Sequence, residues 1–206
     1  MYIQDGEKQI TLLNAYDNIS FYHLSDELRN EVDKIFELYP EFIEVYVNDK
    51  KIPFSFDYKI NNEKEIKVKF KIKCETQLIY AYMFGDCYSL KSIDLSSFDT
   101  SNVTTMADML YECSSLKSLD LSSFDTSNVI NMRNMFDGCS SLESIDLSSF
   151  NTSNVKDMEL MFIGCESLKL LDISSFIFRN NCCTRDIFDK SIKKENIRYN
   201  DIYKGK

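Results

Sequence analysis

Four aspartates recur at a fixed interval: Asp94, Asp120, Asp146 and Asp172 stand 26 residues apart. Ser92, Ser118 and Ser144 precede the first three by two residues, and Ser96, Ser122, Ser148 and Ser174 follow the four by two. Carboxylates repeated at one spacing between hydroxyls offer negative charge and hydrogen-bond acceptors to a basic segment or a hard cation. Like charges aligned in a ladder repel, so some of these carboxyls are expected to titrate high. Cys87, Cys113, Cys139 and Cys165 keep the same interval. Stacked in neighbouring strands, their Cβ atoms would lie about 4.8 Å apart, whereas a disulfide needs about 3.8 Å. They are therefore expected to be free, buried thiols acting as small hydrophobes. The chain has one histidine, His23, which removes most imidazole-based catalytic and metal-site designs. Its sequence carries no Ser-His-Asp arrangement, Gly-rich phosphate loop or metal-ligand cluster. The expectation is a non-enzyme with no cofactor and no metal site.

The element that must position these residues is the repeat itself. Copies reading SLKSIDLSSFDTSNV, SLKSLDLSSFDTSNV and SLESIDLSSFNTSNV start at Ser89, Ser115 and Ser141, and SLKLLDISSF starts at Ser167. Two hydrophobic periods alternate within each copy. Leu116, Leu119, Leu121 and Phe124 follow L-x-x-L-x-L-x-x-F, with a period-two centre that reads as a strand. Met132, Met135, Phe136 and Cys139 recur at i, i+3, i+4 and i+7, which predicts one stripe of a short helix. Between the two lies S-S-F-D-T-S-N, a turn by its Ser, Asp and Asn content. One copy cannot bury its own stripe, so copies must stack with strands parallel. The predicted fold class is an α/β solenoid, a short leucine-rich-repeat array of parallel strands and short helices.

Four repeats are placed at 77–180. A degenerate copy at 181–206 is a polar terminal cap, in which Cys165 is replaced by Ser191 and Leu168 by Lys194. In the L-x-L strand the middle residue points to the concave face, where the aspartate column and its serines would lie. Asn102, Asn128 and Asn154 close each turn and are expected to bond the backbone of the neighbouring copy, which would leave the sequon at Asn102 unused.

The segments MLYECSSLKSLDLSSFDTSNVINM and MFDGCSSLESIDLSSFNTSNVKDM closely resemble the 26-residue repeats of the BspA-like leucine-rich repeat family, found in bacterial surface proteins and in protist proteins. The resemblance covers about residues 77–180 and implies an interaction protein without catalytic residues. Several surface members of that family are regarded as adhesins for host matrix proteins.

Residues 1–76 contain no copy of the repeat and are predicted to be a small α+β domain that caps the array. Asp5-Gly6 marks a hairpin. Ser25 is a helix N-cap, and Leu28, Val32, Ile35, Phe36 and Tyr39 follow at helical spacing up to Pro40. Phe42–Val47 reads as a strand, Asn48-Asp49 as a turn, and Ile52–Phe56 as another strand. Ile66, Val68, Phe70 and Ile72 alternate with lysines in a last strand with one wet face. This ββαβββ order superficially resembles a β-grasp fold.

A net charge of −9 argues against a nucleic-acid binder. No apolar run is long enough to span a bilayer, and MYIQDGEKQI lacks the form of a signal peptide. Free thiols and these absences favour the cytoplasm, with the cell surface as the alternative. The expected function is protein–protein interaction. Asp94, Asp120, Asp146 and Asp172, with Ser92, Ser118, Ser144, Ser96, Ser122 and Ser148, would bind an extended or basic segment of a protein or peptide partner. The alternative is a surface adhesin fragment of a larger secreted protein, and the remote alternative is an enzyme.

Overall fold

The computed structural model describes residues 9–11, 41, 43–54, 57–59, 68–72, 80–96, 98–188, 190 and 192–200. Its strands in chain order are β1 (Gln9–Thr11), β2 (Ile43–Val47), β3 (Lys50–Ile52), β4 (Asp57–Lys59), β5 (Val68–Ile72), β6 (Ser118–Asp120), β7 (Ser144–Asp146), β8 (Leu171–Ile173) and β9 (Ile197–Tyr199). The expected helix after Ser25, the Asp5-Gly6 hairpin and His23 lie outside the described residues.

In the N-terminal part, β2 pairs antiparallel with both β3 and β5. Asn48 and Asp49 join β2 to β3 with φ of 51° and 63°. Both values are left-handed, as a two-residue turn matching strand twist requires. Alternation decides the faces of β2: Ile43, Val45 and Val47 are buried, and Glu44 and Tyr46 are half-buried. The Phe70 ring lies 5.8 Å from that of Phe84. Ile43, Val45 and Val47 belong to the same hydrophobic core as the repeats, which runs on to Ile197. The three-stranded sheet thus packs into the same core as the first copy of the repeat.

From Tyr80 onward the chain is mostly turns, held by contacts at the repeat interval. β6 pairs parallel with β7, aligning Ser118 with Ser144, Leu119 with Ile145 and Asp120 with Asp146. β8 pairs in the same way with β9. Single parallel bridges link Thr105, Asn131, Asp157 and Cys183 in series. Rings stack at the same interval, Phe136 on Phe162 at 5.4 Å and Phe150 on Phe176 at 6.4 Å. Phe136 and Phe162 are fully buried, each stabilising the fold by roughly 1.5–3 kcal/mol.

The expected α/β solenoid with short helices is not what forms. Apart from Glu41 and a 3-10 turn at Lys194–Asn196, the described residues contain no helix, and the parallel strands are three residues long in two separate pairs. The stripe Met132, Met135, Phe136 and Cys139 is completely buried, but in turns. Backbone donors explain this. The N–H groups of Met132, Asn134, Phe136 and Gly138 donate outward, to the carbonyls of Asp157, Glu159, Met161 and Ile163. Those of Met135, Asp137 and Cys139 donate back three residues. With alternate donors given to the neighbouring copy, the i to i−4 ladder of a helix cannot form. Two left-handed positions per copy complete the break, Tyr82, Asp108, Asn134, Leu160 and Asp186 at one and Asp86, Glu112, Gly138 and Gly164 at the other.

Candidate functional site

The aspartate column is on the surface, with Asp120 on β6, Asp146 on β7 and Asp172 on β8. Asp94, Asp120 and Asp146 are exposed and Asp172 is half-buried. Ser92, Ser118 and Ser144 are exposed beside them, as are Ser96, Ser122 and Ser148. Each carboxylate accepts the N–H of the serine two residues on: Asp94 from Ser96 at 3.0 Å, Asp120 from Ser122 at 2.9 Å, Asp146 from Ser148 at 2.9 Å, and Asp172 from Ser174 at 3.0 Å. An aspartate that closes its own turn in this way gives the repeat a local reason to keep it.

These bonds reverse the expected titration. The backbone N–H of Ser122 holds Asp120 below the usual carboxylate range, and that of Ser148 does the same for Asp146. Repulsion from neighbouring aspartates opposes the shift but is smaller. Asp172 is lowered first by the Ser174 hydroxyl, with a smaller contribution from Arg198. The Arg198 guanidinium, brought into register by β9, stands 3.6 Å from Asp172. Beside Asp94 and Asp120 a shallow groove of about 280 Å³ is lined also by Ile93, Ser122 and Ser123.

Other repeated polar residues are spent on joining the copies. Thr126 is buried; its hydroxyl accepts the N–H of Asn151 at 2.7 Å and donates to the Asn151 carbonyl at 3.2 Å. Thr152 does the same with Ile177. Asn128 and Asn154 donate to the carbonyls of Ser101 and Ser127, both at 2.7 Å. These two make the inter-repeat bonds expected, although on the surface, while Asn102 donates instead to the Ser101 hydroxyl of its own copy at 3.5 Å. The thiols of Cys113, Cys139 and Cys165 donate to the carbonyls of Phe84, Leu110 and Phe136. All four column cysteines are buried and in no disulfide, and burial pushes the Cys139 thiol up to about 12.

Two polar groupings, each centred on a buried carboxyl, were not singled out from the sequence. Arg133, Glu159 and Arg185 occupy one repeat position in successive copies, and buried Glu159 ion-pairs with both arginines. Their 26-residue spacing was visible in the sequence. Asp157 and Cys183 bring oxygen and sulfur close to Glu159, but the two guanidiniums already satisfy the Glu159 carboxylate. The second grouping is Asp108 with Asn134 and Tyr82. Asn134 Nδ2 donates to Asp108 at 2.8 Å, and all three side chains are buried.

Residues 79–200 match the family described as Mycoplasma protein of unknown function, DUF285. The chain belongs to this family. The DUF285 match takes in the repeats and most of the tail, including Arg133, Glu159, Arg185 and the whole aspartate column. No curated protein and no solved structure matches the chain. Among the described residues no helix is long and apolar enough to cross a membrane.

Proposed function

We propose that this protein is an interaction module whose exposed aspartate face binds a basic, extended segment of a partner protein or peptide. The observation that carries the reading is the register of Asp94, Asp120 and Asp146, three exposed carboxylates at one repeat position with Asp120 directly opposite Asp146. Their turns preorganise them. The serine N–H bonds fix one oxygen of each, so little side-chain freedom is lost when a cation docks on the other. Hydrogen bonding to the charged form keeps Asp120 and Asp146 ionised. The chain itself supplies an example of the complement, since Arg198 lies beside Asp172 at the end of the column. The resemblance to BspA-like repeats favours the same class of function.

The face is small. Three copies about 4.8 Å apart give a strip far below the roughly 800 Å² per partner of a standard interface. A linear segment bearing Lys or Arg fits it better than a globular surface. The test is affinity capture from native lysate with the unchanged protein and with an Asp120→Lys/Asp146→Lys variant. Capture of a specific partner that the variant loses supports the reading, and equal capture by both removes the face as the site.

A further inference from the structure

Asp108 occupies a position where the repeat's next copy carries Asn134, its neutral isostere. Both backbones are left-handed there, at φ of 57° and 52°, a conformation that Asp and Asn share readily. An amide therefore fits this position sterically, yet this copy has an ionisable group. Its surroundings are closed. Asp108 is 3% exposed, Asn134 3% and Tyr82 4%. From the preceding copy Tyr82 hydrogen-bonds the carboxyl, and Asp86 faces it as a second acid. From the following copy Asn134 Nδ2 donates to it and the Arg133 guanidinium lies within electrostatic reach. Tyr111 of its own copy feels its charge. Asn134 Oδ1 is buried without a hydrogen-bond partner, so the polar grouping is incompletely satisfied.

We propose that Asp108 makes the junction between these copies a proton-sensitive joint, tight when the carboxyl carries a proton and weakened when it ionises. Two donors aimed at one carboxyl cannot replace the water an ionised group loses on burial. Burial is the largest influence and pushes the carboxyl up to about 6; the bonds from Asn134 and Tyr82 and the charge of Arg133 oppose it. The folded state thus holds this proton more tightly than the unfolded chain, whose carboxyl titrates at the ordinary 3.8. The stabilising effect is complete below that value, is lost as pH rises from it through about 6, and is constant above. The same joint carries the backbone bonds from Tyr82, Phe84 and Asp86 to Ala107, Met109 and Tyr111.

The experiment compares chemical-denaturant unfolding of the unchanged protein and Asp108→Asn between pH 4 and 8. The ratio of the two folding constants should fall on the order of a hundredfold from pH 4 to 6.5 and then level off. A ratio that is flat, or that rises with pH, overturns the proposal. If the variant fails to fold, carbon NMR of aspartate carboxyls in the unchanged protein decides. One buried carboxyl titrating near pH 6, coupled to Tyr82 and Asn134 resonances, supports the joint. An Asp108 signal that titrates in the ordinary aspartate range overturns it.

Discussion

A Cβ built on Gly164 would stand 3.2 Å from both the Cα and the N of Gly138, so the two glycines stack backbone against backbone between successive copies. Both have positive φ, 68° and 75°, which any L side chain adopts at a cost of about 1–2 kcal/mol. At Gly138 the added methyl meets the end of the Glu112 side chain, which can swing aside. At Gly164 it meets backbone. Gly164→Ala should therefore lower Tm more than Gly138→Ala, and thermal unfolding of the two variants checks the order. An equal loss would mean that φ alone, and not the close approach, sets the cost.

The threonine ladder gives a second expectation. Thr126→Val keeps shape but removes the two hydrogen bonds that the buried Thr126 hydroxyl makes with the N–H and carbonyl of Asn151. A loss of about 1–3 kcal/mol follows. Ser118→Ala on the exposed strand face should stay within about 0.5 kcal/mol. Denaturant midpoints of the two variants make the comparison.

Glu159 stands between Arg133 and Arg185 with its side chain 6% exposed. Glu159→Ala leaves the Arg133 charge, 14% exposed, buried without its closest partner. We expect a loss of about 3–5 kcal/mol, read by denaturant unfolding. Arg185→Ala, on a side chain 69% exposed, should cost much less.

The buried thiols should be inert in the native state. Burial raises Cys113 and Cys139, and each donates to a carbonyl of the preceding copy. Native alkylation followed by peptide mass mapping should modify the exposed Cys183 and leave Cys87, Cys113, Cys139 and Cys165 unmodified until denaturant is added. Rapid native labelling of Cys113 would contradict the packing.

What was legible in the sequence depended on how local the determining physics is. Asn48-Asp49 marked a two-residue turn because few residues adopt positive φ, and alternation in Val68–Ile72 marked a strand. The 26-residue interval gave the stacking direction and the buried cysteine column, since both need only identical neighbours. The helix expected at Met132–Cys139 failed because an apolar stripe reports which side chains are buried, not where the N–H groups go. The signal against it was present: Asn134 and Gly138 stand four apart, at positions suited to left-handed backbone. At the aspartates, charge repetition suggested raised titration, while the serine N–H two residues away decides the opposite. That bond depends on turn geometry, which a count of like charges does not contain. The pairing of Glu159 with two arginines was readable from the interval, but its burial was not.

The proposed capture of a basic segment rests on the aspartate face and not on acidity in general. The most direct measurement is titration of an arginine-rich peptide, at about 50 and 300 mM salt, against the unchanged protein and two variants. Asp120→Lys/Asp146→Lys reverses the face. Asp99→Lys/Asp125→Lys changes the charge equally at two other exposed aspartates that also close turns, on Ser101 and Ser127. The first variant should lose binding and the second retain it, with affinity falling at the higher salt as the screening length shortens. Equal loss in both variants would show that only net charge matters and would contradict the proposed site.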